Sequence, residues 1–182
     1  MQVYVEPVVP DPTLFIFGAG FVSKAVAEIA RFSGFRIAVV DDRPENANRN
    51  SFPHGDDFYV GPWEEVLGKL PVNQSSYLFI ATRGHQLDLL CLRFAVKSQA
   101  KYIGILGSSK KTHSLFQILE NEGIDPASFK RVFVPVGIDI AAETAEEIAV
   151  SLVAELIAIR KNLDIRSIRD TVRCIRNTPP PA

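Results

Sequence analysis

Apolar residues fall along the chain in short continuous runs, separated by stretches in which they recur every three or four positions. The runs are Leu14–Phe17, Phe35–Asp41, Tyr77–Ala81 and Tyr102–Leu106; the periodic stretches include Phe21–Phe32 and Leu87–Val96. Strand and helix signals alternating in this order predict parallel βαβ units. The runs lack strict alternation of apolar and polar residues, so their sheet is expected to be covered by helices on both faces. Weaker signals at Phe58–Val60 and Arg131–Val134 bring the sheet to about six strands in a doubly wound order. The predicted fold class is α/β, three-layered and mostly parallel.

Toward the end of the chain, Thr144-Ala145-Glu146-Glu147 reads as a capping box ahead of an apolar helix, Ile148–Ile159. Ile148, Leu152, Leu156 and Ile159 share one face of that helix. Beyond it Ile165, Ile168, Val172 and Ile175 recur at helical spacing, with Arg166, Arg169, Arg173 and Arg176 one step round, before Pro179-Pro180-Pro181. Residues 1–163 are therefore read as one domain and 164–182 as a helical tail. The tail packs on its own domain or bridges a homodimer.

Composition narrows the function classes. At 182 residues the chain can bury one sizeable core, and 47% hydrophobic with 23% charged residues excludes general disorder. A formal net charge of −1 gives no reason to expect a nucleic-acid surface and confines any anion site to a local pocket. Cys91 and Cys174 make neither a zinc spacing nor a disulfide framework, which fits a reducing cytoplasm, and Cys91 is expected to be a buried thiol. Met1–Pro12 lacks the pattern of a signal peptide, and no run approaches 18 uncharged apolar residues, so no membrane segment is expected.

The chemistry-bearing residues sit at the predicted strand ends. Gly18-Ala19-Gly20-Phe21-Val22-Ser23 follows the first strand and opens a helix, which is the setting of a Rossmann phosphate-binding turn. Gly18 permits the tight turn, Gly20 lets a diphosphate approach the helix amides, and Ser23 stands in place of the third glycine. Asp41, 23 positions after Gly18, stands where such domains place a carboxylate against ribose hydroxyls. Asp42 reads as part of a polar loop, and Arg43 either belongs to that loop or meets an extra phosphate. Thr82-Arg83-Gly84-His85 and Gly107-Ser108-Ser109-Lys110-Lys111 follow two further strands. Arg83, Lys110 and Lys111 are expected in first helical turns, where a cation opposes the helix dipole unless an anion is bound. His85 and Asp88 are spaced to pair on one helical face, and no metal cage is expected from so few histidines and cysteines.

These motifs, from Leu14 to Leu163, resemble the C-terminal Rossmann domain of XdhC/CoxI-type accessory proteins for xanthine dehydrogenase and related molybdenum hydroxylases. The most specific pieces are Val40-Asp41-Asp42-Arg43-Pro44, Thr82-Arg83-Gly84-His85 with Asp88, Tyr102-Ile103-Gly104 leading to Gly107-Ser108, and Pro135-Val136-Gly137-Ile138-Asp139-Ile140 leading to Glu143-Thr144. The resemblance implies a protein that binds molybdenum cofactor (molybdopterin) during maturation. Sulfur is typically added at that stage, which brings in a cysteine desulfurase, and the cofactor is then inserted into the apo-hydroxylase. It implies a carrier rather than an enzyme with its own turnover. It adds Phe21, Val22, Gly137 and Asp139 to the binding residues named above. Departures are Phe21 for a usual histidine, Ser109 for arginine, Ala141 for glycine and Ala145 for proline. Two other readings use the same framework: an NAD(P)-dependent oxidoreductase with His85 as its proton donor, or an NAD-sensing regulatory module.

Overall fold

The computed structural model describes residues 11–165 and 168. Six strands form one parallel sheet: β1 (Thr13–Phe17), β2 (Arg36–Asp41), β3 (Asp57–Val60), β4 (Ser76–Ile80), β5 (Tyr102–Ile105) and β6 (Val132–Phe133). Their spatial order is β3-β2-β1-β4-β5-β6, the doubly wound order, with the reversal between β1 and β4. Phe17 lies beside both Val40 and Ile80, so β1, β2 and β4 end level with one another.

The pleat of β1 shows why its apolar run does not alternate with polar residues. Leu14 and Ile16 enter the core shared with α1 (Phe21–Phe32) and α5 (Ala145–Arg160). Phe15 and Phe17 point the other way, into the core shared with α2 (Trp63–Leu67), α3 (His85–Lys97) and α4 (Ser109–Asn121). All four are buried, and each contributes roughly 1.5–3 kcal/mol relative to exposure. The strand that carries the glycine turn is therefore anchored in both cores.

α5 starts as predicted. Thr144 Oγ1 accepts from the Glu147 amide at 3.2 Å while the Glu147 carboxylate accepts from the Thr144 amide at 3.2 Å. Its other end is tied to α1, because Arg160 donates to the Ser33 carbonyl at 2.8 Å and lies over the Phe35 ring. Ile165 is buried and Ile168 packs in the same core, so the first two positions of the tail stripe pack on their own domain. Val172, Ile175 and the arginines of that stripe lie outside the described residues.

The predicted boundaries shift where side chains find better partners. The sixth strand keeps only Val132 and Phe133 of the predicted Arg131–Val134. Arg131 instead closes a 3-10 turn, Pro126–Arg131, and donates to the carbonyls of Val96, Ser98 and Ala100 at 2.8–2.9 Å, capping the end of α3. Between β2 and β3 the chain runs without a helix. Asn48 fixes it, accepting from the amides of Asn50 and Ser51 and donating to the carbonyls of Pro44 and Glu45.

Candidate functional site at the carboxyl edge of the sheet

The turn after β1 is held by contacts on both sides. Gly18 has φ +102°, and its amide donates to the Val40 carbonyl at 2.8 Å. A Cβ there would run into the carbonyl oxygen of Ala81. Gly20, the N-cap of α1, is the opposite case, since a Cβ would meet nothing within 4 Å. The first-turn amides of α1 lack intrahelical acceptors, Gly20 supplies no side-chain cap, and that turn contains no acidic residue. An opening lined by unpaired donors results. Phe21 stands 87% exposed at its rim, Val22 packs against the core beneath, and Ser23 is fully buried. The small Ser23 side chain allows α1 to lie close on the sheet.

Asp41 does not face that opening. It is 2% exposed, and both of its oxygens are engaged: Oδ2 accepts from the Ala19 amide at 2.8 Å and from Arg43 Nη2 at 2.9 Å, and Oδ1 from Arg43 Nε at 2.8 Å and the Arg43 amide at 3.0 Å. The acid expected to read a ribose is thus a strut that fixes the glycine turn, and Arg43, expected in the loop or on a phosphate, is its counter-ion. Burial pushes the Asp41 carboxyl up, but the hydrogen bonds from Arg43 and Ala19 and the Arg43 charge outweigh it and hold the group below its ordinary value. A carboxyl whose pKa is depressed on folding stabilises above its unfolded pKa, near 4, and loses that contribution as pH falls through the folded value. Asp41→Asn is therefore expected to flatten the loss of stability below about pH 4, measured as urea midpoints across an acid series. An acid slope identical to wild type would remove Asp41 from this role.

Arg83 also differs from expectation. α3 begins at His85 with Gly84 as N-cap, so Arg83 lies ahead of the helix rather than in its first turn. It makes a two-pronged pair with Asp42 at 2.7 and 3.0 Å, and Asp42 is thereby more than a loop residue. The pair runs from the end of β2 to the end of β4, past the end of β1 between them. Asp88 turns inward and accepts from Thr82 Oγ1 at 2.6 Å, while His85 is exposed; the expected His85–Asp88 pairing is replaced by one that fixes the Thr82–Gly84 turn.

The other half of the edge lies beyond β5 and β6. Gly107 has φ +156° with open space where a Cβ would stand, Ser108 is exposed, and Lys110 is exposed in the first turn of α4, with Lys111 following it in sequence. Residues 134–142 fold back against α5 and enclose a cleft of about 550 Å³ with Leu106, Gly107, Ile148 and Ser151. Gly137 has φ +84° and is pressed so closely on Ser151 that no Cβ could be added. Its amide donates to Glu155 Oε1 at 3.1 Å, and the same oxygen accepts from the Tyr102 hydroxyl at 2.6 Å. Ser151 Oγ donates to the Ile138 carbonyl at 2.6 Å. Ala141 stands at φ +58°, a left-handed conformation that glycine adopts at no steric cost, which gives a physical reason for a glycine at that position.

The expected site residues therefore form two groups on one edge, a glycine turn flanked by ion pairs and a preformed cleft. Glu155, Tyr102 and Ser151, which set the shape of the cleft, were not among them. The available signal was a glutamate inside the apolar Ile148–Ile159 helix. Among the described residues there is no group of three or more histidine, cysteine or acidic side chains fit to hold a metal, and no helix long and apolar enough to cross a membrane. Cys91 is fully buried in the core beneath α3, and burial pushes its thiol pKa far up.

A six-stranded 3-2-1-4-5-6 sheet with a glycine turn at its reversal point is a Rossmann-type domain. The chain belongs to the XdhC family, with residues 14–156 matching the XdhC Rossmann domain. It is 33% identical over 164 residues to a probable xanthine dehydrogenase subunit of Bacillus subtilis, covering 90% of this chain and 48% of that protein. It is 32% identical over 163 residues to the uncharacterized protein YqeB of Escherichia coli, covering 89% of this chain and 30% of that one. A crystal structure of a xanthine dehydrogenase from Bacillus halodurans matches with a TM-score of 0.75 at 33% identity, covering 84% of this chain and 44% of that chain. The chain thus spans about half the length of the first of these relatives and less than a third of the second.

Proposed function

We propose that this domain takes part in xanthine dehydrogenase maturation by holding a phosphorylated molybdopterin-type cofactor at the carboxyl edge of its sheet and handing it to the apo-hydroxylase. Support comes from the XdhC family membership and from the names of the relatives, which refer to xanthine dehydrogenase. The observation that carries the reading is the state of Asp41. A dinucleotide site needs that carboxylate for a ribose, whereas here both oxygens are committed to Ala19 and Arg43 and the turn beside them stays open. The residues present fit a phosphate without a ribose partner. The first-turn amides of α1 offer donors, Gly20 leaves room, and Lys110 supplies exposed charge on the same edge.

In this reading the chain binds, orients and shelters, and the bound cofactor supplies the molybdenum chemistry that the hydroxylase uses. Gly18, Gly20 and Val22 shape the phosphate seat, and Thr82 and Asp88 fix the neighbouring turn. Arg83 stands beside the seat with Asp42 as its partner, so an incoming phosphate competes with a carboxylate for one guanidinium. Partners under this proposal are the apo-hydroxylase and a cysteine desulfurase, and the tail beyond Ile168 is a candidate bridge in a homodimer.

The deciding experiment is to purify the protein from a host that makes molybdenum cofactor and identify the ligand released on denaturation by mass spectrometry. A stoichiometric pterin phosphate is expected. NAD(P) as the sole ligand would overturn the proposal in favour of a nicotinamide-binding enzyme or sensor.

A further inference from the structure

α5 is apolar on more sides than its neighbours cover. Ala149, Leu152, Val153 and Leu156 are buried in the core shared with α1, while Ser151 and Glu155 turn to residues 134–142. The outer stripe, made of Val150, Ala154 and Ile157, is apolar as well. Val150 is 50% exposed and the other two are partly buried. A helix that is hydrophobic all round is ordinarily covered all round, so this stripe calls for an occupant.

The chain's own continuation is aimed at it. α5 ends in a Schellman turn: the Asn162 amide donates to the Ile159 carbonyl and the Leu163 amide to the Ala158 carbonyl, both at 3.0 Å, with Asn162 left-handed at φ +57°. Helical bonding resumes at once, since the Ile168 amide donates to the Asp164 carbonyl at 3.3 Å. Ile165 is buried in the core that holds α5, and Ile168 packs against it. So short a connection sets two helices side by side and antiparallel. Each residue advances about 1.5 Å along either helix, so equal steps away from the turn bring Ile168 level with Ile157, Val172 within a residue of Ala154, and Ile175 level with Val150. Charge agrees with this register, because Arg176 falls beside Glu146, the exposed acid in the first turn of α5.

We infer that residues 165–176 form the second arm of a helical hairpin with α5, seating Val172 and Ile175 on the stripe of Val150, Ala154 and Ile157. α5 begins at the carboxyl edge, where Ile148 and Ser151 line the cleft, and ends beside Ser33. The returning arm therefore carries Arg173 and Arg176 back to the edge that holds the glycine turn and the cleft. The inference stands independently of the cofactor-holding reading. The short connection favours the tail of the same chain as occupant over that of a second copy.

The test is disulfide trapping in the full chain, in a Cys174→Ser background that leaves only the buried Cys91. Val150→Cys combined with Ile175→Cys is oxidised in dilute solution. Ile157→Cys combined with Ile175→Cys is the control, out of register by roughly 10 Å along the helix. Trapping within one chain is expected for the first pair, at a rate independent of protein concentration and at least tenfold above the control. No disulfide, or equal rates for the two pairs, would overturn the inference. A disulfide between chains would overturn it in favour of a bridge between two copies. A second readout needs no cross-link: Val150→Ala and Ile175→Ala should each lower the melting temperature, and together by less than the sum, because both remove one shared contact. Strictly additive shifts would remove that contact.

Discussion

Gly18→Ala is expected to destabilise the domain by roughly 3 kcal/mol or more, whereas Gly20→Ala two residues away should change stability by less than about 1 kcal/mol. The difference follows from what each added methyl meets. At Gly18 the backbone is at φ +102°, and the methyl would collide with the Ala81 carbonyl, a backbone atom of the adjoining strand end that cannot swing aside. At Gly20 the conformation suits any residue and the methyl enters open space. Urea unfolding of the two variants separates them, since domain stabilities of about 5–15 kcal/mol make a 3 kcal/mol loss easy to read. Equal midpoints would contradict the contact with Ala81. If Gly20→Ala keeps its stability but loses pyrophosphate binding, the opening is a seat and not merely a gap.

Glu155→Ala is expected to cost about 3–5 kcal/mol, because one substitution removes a buried acceptor shared by two donors in the core, the Gly137 amide and the Tyr102 hydroxyl. Glu155→Gln keeps an acceptor oxygen in place and should retain a large part of that stability. The effect should also be local. Amide hydrogen exchange is expected to accelerate across residues 134–142 before it does in β1, since that segment depends on Glu155 and Ser151 for its anchorage while β1 depends on packing. A melting temperature unchanged in Glu155→Ala, or uniform acceleration across the sheet, would show that Glu155 does not organise the cleft.

What the sequence conveyed and what it withheld can be traced to physical range. Apolar runs covered on both faces read directly as β1, β2, β4 and β5, and the capping box at Thr144 fixed the start of α5, because each signal is complete within a few neighbouring residues. The five-residue α2 was missed, being too short to show a helical period. The Rossmann turn was legible from its strand–glycine–helix setting. The role of Asp41 was not, because a carboxylate at a strand end looks the same whether it faces a ligand or the amide of Ala19, 22 residues earlier. Arg83 and Asp42, 41 residues apart, meet only once β2 and β4 flank β1. Tyr102 and Glu155 lie further apart still, and their hydrogen bond depends on α5 crossing the face of β5. Strand ends could be named from the sequence, but which side chains there are struts and which remain open to solvent is decided by pairings across the fold.

The placement of Cys91 bears on the company this domain can keep. A thiol sealed beneath α3 and held protonated is neither a nucleophile toward a persulfide nor a target for peroxide, since both reactions need an accessible thiolate. At residue 91 the protein is therefore chemically inert toward sulfur exchange. A persulfide or peroxide that reaches the surface over α3 meets no accessible thiolate at this position.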